Sequence, residues 1–184
     1  MGKILVHEFI TLDGVFEQPT WTFDYPFDPR MGEAIGAIMG SSEGLLLGRR
    51  TFEQFAPAWS GRSAEDDPGA PFMNESPKYV VSGTLENPEW SNTTVLGVYD
   101  REAIGSLKDR SAGSLYVSGS GTLVRALIDD GLVDELHLFV FPLVLGGGQR
   151  LFPDGGAAIK LALAGTESYD SGVVHLAYQL SGER

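Results

Sequence analysis

The 184-residue chain contains no cysteine, so disulfides, thiolate nucleophiles, Cys-ligated zinc and Cys-ligated iron–sulfur clusters are all excluded. Basic residues are scarce: 13 Lys and Arg stand against 25 Asp and Glu, a formal charge of −12. Nucleic-acid binding draws on basic stripes and is not expected, and any anion bound here must meet a local cluster of donors. No apolar run approaches the roughly 18 residues of a membrane span. Strand-like sequence from Lys3 onward leaves no room for a leader peptide, which points to the cytoplasm. Only three histidines occur, His7, His137 and His175, each single on a strand-like stretch. They read as core or edge residues, and no metal site is expected.

What the chain does have is an ordinary globular composition, 42% hydrophobic and 21% charged, at a length that suits one domain, 1–184, with a sizeable core. Lys3 to Ile10 reads as a strand ended by the turn Thr11-Leu12-Asp13-Gly14. Residues 15–28 form a loop dense in aromatics, either a flap over a pocket or a loop pinned by its own rings. A helix opens at Pro29 and stops at Gly40-Ser41-Ser42. The wholly apolar Gly44-Leu45-Leu46-Leu47-Gly48 then runs as a buried strand into a helical stretch from Arg49. After a Pro-rich surface excursion over 57–77, strands are expected at 78–82, 93–98, 115–117 and 134–141, with helices at 101–108 and 122–130. Two late runs, 159–166 and 173–180, pair as a hairpin. This order predicts an α/β fold: a mixed, mainly parallel central sheet flanked by helices, with an antiparallel C-terminal edge.

Open α/β sheets bind ligands at the carboxyl ends of their strands, and three loops there carry suitable residues. Ser118-Gly119-Ser120-Gly121-Thr122 leads into a helix whose first N–H groups and dipole face the loop, a cradle for pyrophosphate or a turn chosen for its backbone angles. It is not a Rossmann fingerprint, because Val124 stands where the third glycine belongs, and no Walker loop is present. Gly48-Arg49-Arg50-Thr51 places two guanidinium groups at a strand end, suited to a ribose 2′-phosphate. Ser82-Gly83 ends a third strand.

Gly48-Arg49-Arg50-Thr51-Phe52-Glu53, Val80-Val81-Ser82 and Val117-Ser118-Gly119-Ser120-Gly121-Thr122-Leu123 occur in the order and spacing of dihydrofolate reductase-like proteins. Thr11-Leu12-Asp13-Gly14, Leu132-Val133-Asp134-Glu135-Leu136 and Pro142-Leu143-Val144-Leu145-Gly146-Gly147-Gly148 resemble more closely the RibD C-terminal reductase domain of bacterial riboflavin biosynthesis. The resemblance covers nearly the whole chain. It implies a three-layer dihydrofolate reductase-like fold with NADPH across the strand ends. Leu47, Gly48, Arg49, Arg50 and Thr51, then Ser82 and Gly83, then Gly119, Ser120, Gly121, Thr122 and Leu123 would contact the cofactor. It further implies a homodimer, for which the strand 136–141 and the hairpin offer a surface, and hydride transfer to a small heterocycle or carbonyl compound. That chemistry resembles the reduction of 5-amino-6-(5-phosphoribosylamino)uracil.

Asp13 is the expected proton source, since burial at a strand end would raise its pKa. Trp21, Phe52 and Phe141 are expected to stack on a flat substrate. The acid-bearing helix that follows a Trp-x-x-Pro segment in folate reductases is missing, as are the length and Cys ligands of the deaminase domain that accompanies riboflavin reductases. Two alternatives stay open: a reductase of pterin- or folate-like substrates, and an NADP-binding module without turnover.

Overall fold

A computed structural model describes residues 2–180. Eight strands form a single sheet in the order β4-β3-β2-β5-β1-β6-β8-β7. They are β1 (Ile4–Thr11), β2 (Ser42–Gly48), β3 (Lys78–Val81), β4 (Thr93–Gly97), β5 (Ser114–Val117), β6 (Glu135–Phe141), β7 (Leu161–Ser168) and β8 (Val174–Leu180). The first six in spatial order are parallel, and β8 joins β6 antiparallel and pairs with β7 as a hairpin. The helices are α1 (Pro29–Gly40), α2 (Arg49–Trp59), α3 (Ala70–Glu75), α4 (Arg101–Arg110) and α5 (Gly121–Asp129). The α/β architecture and the antiparallel edge agree with the sequence pattern. No helix among the described residues is long and apolar enough to cross a membrane.

The all-apolar text of β2 follows from burial on both faces. Leu46 joins a core layer with Ile4, Val6, Val117, Val124 and Leu127, while Leu45 and Leu47 point to the opposite layer with Leu5, Met31, Phe52 and Phe139. Each such leucine contributes about 2 kcal/mol through burial. Helices are therefore needed on both sides of the sheet.

Two stretches read as loop prove to be partly helical. Pro19–Asp24 is a 3-10 helix that buries Trp21, and the 57–77 excursion contains the last turn of α2 and all of α3. Pro57 lies in the third-last position of α2, so that helix forgoes the N–H bond that residue 57 would give to the Glu53 carbonyl. Lys78 at the start of β3 is fully buried, and its Nζ donates to the carbonyls of Asn74, Ser76 and Ser91 at 2.9–3.0 Å. These bonds tie α3 to the sheet.

The chain runs outward from β1 to β2, β3 and β4, then returns to insert β5 between β2 and β1 before placing β6 on the other side. The direction of winding thus reverses at β5, the position at which a crevice opens beyond the strand ends of such sheets.

Candidate functional site

A groove runs along the carboxyl ends of β1, β2, β3 and β5. One end has a cavity volume of about 900 Å³ and the other about 350 Å³. Arg50, Ser120, Thr122 and Gln149 belong to both ends, so the two are continuous. The starts of α2 and α5 form the floor. Their N-cap residues, Gly48 and Ser120, make no side-chain capping bond, which leaves first-turn N–H groups and positive dipole ends facing the groove.

The glycines are needed because the loops touch. A Cβ on Gly48 would overlap the Ser120 hydroxyl, and one on Gly121 would overlap the Phe16 ring. Gly119 has φ +77°, and a Cβ there would lie 2.7 Å from Thr51 Oγ1. The missing side chains let the 118–121 loop pack against Phe16, Thr51 and the start of α2, and that packing sets the shape of the groove. The Gly119–Ser120 peptide is cis.

The larger end is rich in cations. Arg49, Arg50, Arg125 and Arg150 all line it, with Tyr99 and Val81 at the β3 side. Arg125 Nη1 donates to the carbonyl of Arg150 at 3.0 Å, and Arg49 pairs with Glu53 at 2.9 Å. Sequence reading found the first two arginines and missed the others, which lie about 75 and 100 residues further on. Arg150 arrives because the segments after β1 and β6 are zipped together. Phe16 N–H donates to the Gln149 carbonyl at 3.1 Å, Leu151 N–H to the Gly14 carbonyl at 2.9 Å, and Gln149 N–H to Glu17 Oε2 at 3.1 Å.

The smaller end is lined by the rings of Phe9, Phe16 and Phe55 together with Thr51, Gln54 and Ser118. Two acids line this end, Glu17 and the buried Glu8. Glu8 of β1 is 7% exposed, and its Oε1 accepts the Gly119 N–H at 2.9 Å. Burial pushes its pKa up to about 8, outweighing the opposing effect of the Gly119 bond. Sequence reading missed Glu8. The sign that was available is a carboxylate in a strand whose other residues, His7 apart, are apolar: Ile4-Leu5-Val6-His7-Glu8-Phe9-Ile10.

Several expected roles need correction. Asp13 lines neither end of the groove. Its carboxylate accepts the Thr11 hydroxyl at 2.6 Å and the N–H groups of Gly146 at 2.9 Å and Leu145 at 3.2 Å. Those bonds, Thr11 first, hold its pKa down to about 2, so it is ionised where a proton donor must not be. Asp13 fastens the β6–β7 connection to the β1 turn. Trp21, Phe52 and Phe141 are buried and line neither end. Phe141 packs edge-on against Phe9, Trp21 and Tyr25, and Phe52 lies against Trp90, so their faces are taken by the core. Leu47 is fully buried, and Ser82 and Gly83 also stand off the groove. Ser82 Oγ accepts from Thr84 and Leu85 N–H at 3.1 and 2.9 Å to close a turn.

The remaining expected residues, Gly48, Arg49, Arg50, Thr51 and 119–123, do converge on the groove. The histidines also converge, which their sequence separation hid. His7 and His137 are register partners on β1 and β6, and His137 Nδ1 lies 3.1 Å from His175 Nε2. Among the described residues no group of three or more His, Asp and Glu could hold a metal ion.

Comparison with known proteins agrees with this architecture. The RibD C-terminal domain family model matches residues 2–175. An uncharacterized protein, YyaP of Bacillus subtilis (strain 168), is 29% identical over 184 residues, covering 98% of this chain and 96% of that one. A crystal structure of a putative riboflavin biosynthesis protein from Shewanella sp. PV-4 superposes with TM-score 0.79 at 19% identity, covering 97% of this chain and 99% of that one. Dihydrofolate reductase from Enterococcus faecalis, in a complex with NADP(H) and a second ligand, superposes with TM-score 0.62 at 15% identity, covering 97% and 96%. The chain belongs to the RibD C-terminal domain family and has a dihydrofolate reductase-like fold.

Proposed function

We propose that this RibD C-terminal domain protein is an NADPH-dependent reductase of a small heterocyclic or carbonyl substrate, of the kind exemplified by 5-amino-6-(5-phosphoribosylamino)uracil reduction. The observation that carries the reading is the concentration of four arginines, Arg49, Arg50, Arg125 and Arg150, at one end of a groove in a chain with 13 basic residues and 25 acidic ones. Maintaining such a cluster against its own repulsion has a physical rationale where a polyanion is bound.

The residues present fit a dinucleotide phosphate. The arginines would take the 2′-phosphate and the uncapped starts of α2 and α5 the pyrophosphate. When bound, the dihydronicotinamide would supply a hydride. Phe9, Phe16 and Phe55 would orient a flat acceptor and exclude water at the smaller end. Thr51, at the smaller end, would position the acceptor against the Gly119 backbone.

For the homodimer, β6 is an interior strand with Phe139 and Phe141 fully buried, so it offers no surface. The edge strand β7 does, with Leu163 58% exposed on an uncharged stretch from Leu161 to Thr166.

The deciding experiment is calorimetric titration with NADPH and NADH at low salt, on the wild type and on Arg50→Ala and Arg125→Ala. Selective NADPH binding weakened by both substitutions is the expected result. Equal affinity for the two nucleotides, or none for either, would sink the reading.

A further inference from the structure

Reduction of a C=N or C=O bond takes up a hydride at carbon and a proton at the heteroatom. The proton needs a donor inside a site from which water is excluded. Asp13 does not meet this need, being ionised and outside the groove. Resting on the reductase reading above, we propose that Glu8 is the proton donor, delivering its carboxyl proton to the substrate heteroatom at the end of the groove lined by Phe9, Phe16 and Thr51.

The geometry supplies what a donor requires. Glu8 is held by a strand, which is more rigid than a loop, and its Oε1 is anchored by the Gly119 N–H at 2.9 Å. No described residue bonds Oε2, which leaves that oxygen for a ligand. Gly119 also stands on the loop between the two ends of the groove, so one peptide positions both the acid and the wall against which a dinucleotide would lie.

The other ionisable groups at this end are Glu17 from the segment after β1 and Arg50 from α2. From β5, the buried Tyr116 hydroxyl lies 2.6 Å from His7 Nδ1 and is pushed upward chiefly by burial. None of these bonds Glu8. Its protonation at neutral pH follows from the buried position.

Bound NADPH would supply the hydride to the substrate carbon and leave as NADP⁺, and the heteroatom would take the Glu8 proton as its π bond breaks. Glu8 is left as a carboxylate and is reprotonated from solvent once the product leaves.

The test uses two acceptors that differ in their need for a proton. One is 3,4-dihydroisoquinoline, assayed where it is the neutral imine. The other is its N-methyl iminium salt, which becomes neutral on accepting hydride alone. With NADPH the wild type is expected to reduce both. Glu8→Gln keeps an acceptor for the Gly119 N–H and is expected to slow imine reduction by roughly 100-fold or more, with a far smaller effect on the iminium rate. Equal losses on both acceptors, or no loss on the imine, overturn the assignment of Glu8 while the reductase reading stands.

A second readout needs no cofactor. The infrared C=O band of a protonated carboxyl is followed across the neutral pH range and assigned by its disappearance in Glu8→Gln. A Glu8 carboxylate ionised throughout that range overturns the proposal by itself. A protonated Glu8 in a wild type that reduces neither acceptor removes the reductase reading, and the donor role with it.

Discussion

The carboxyl of Glu8 and the backbone N–H of Gly119 meet at 2.9 Å across 111 residues of sequence. This one bond joins β1 to the loop between β5 and α5, and Phe9 and Phe16 line the same end of the groove as the acid.

Burial of Glu8, which outweighs that bond, makes stability depend on pH. The folded-state pKa of Glu8 is raised to about 8 from 4.5, so the folded chain holds a proton that the unfolded chain releases. The stabilisation is complete below about 4.5 and is lost as pH rises towards 8, at up to about 1.4 kcal/mol per pH unit. Urea unfolding across this window is expected to show the decline in the wild type and a flatter profile in Glu8→Gln.

The histidines act in the opposite direction. Burial lowers His7 to about 3 and His175 to about 4, so both stay neutral when folded while the unfolded chain takes up protons below about 6.5. Stability is therefore lost as pH falls from 6.5 towards 4. His175→Phe, which keeps the parallel stack on Phe139 at 4.3 Å, is expected to shallow this acid limb in the same unfolding series.

Arg125 and Arg150 are expected to matter to nucleotide binding as much as Arg49 and Arg50. Loss of one guanidinium contact to a phosphate removes about 1.5 kcal/mol, roughly tenfold in Kd. Titration of Arg125→Ala with NADPH checks this, and a weakening that persists equally with NADH would place the arginine away from the 2′-phosphate.

Gly119→Ala tests the groove wall. The left-handed φ of +77° costs a side chain about 1–2 kcal/mol, and the added Cβ would press on Thr51. A Tm lower by roughly 2–8 °C is expected from thermal melts, together with weaker NADPH binding.

Asp13→Ala separates fastening from chemistry. It frees the Leu145 and Gly146 N–H groups and so loosens the segment that carries Gln149 and Arg150 to the groove. The expected outcome is weaker NADPH binding with the rate at saturating cofactor largely kept. A collapse of that rate with binding intact would return Asp13 to the chemistry.

Local sequence determined the elements of this protein and one half of its groove. The apolar run of β2, Pro29 at the start of α1, and the glycine turn before α5 are each decided by neighbours along the chain, so they are legible in order. The pair Arg49-Arg50 is likewise local, since a strand end and a helix start fix where it points. Tertiary structure alone decided the rest, because burial and convergence are properties of segments that meet only after folding. Trp21 and Phe141 are 120 residues apart and pack ring to ring, which turns two apparent substrate platforms into core. Arg150 reaches Arg125 through the pairing of segments that follow β1 and β6. Glu8 and Asp13 lie five residues apart on the same strand and turn, yet their acidities move in opposite directions. Glu8 loses water and gains one donor from 111 positions away, whereas Asp13 gains three donors, one from its neighbour Thr11 and two from Leu145 and Gly146, which only the fold brings to it.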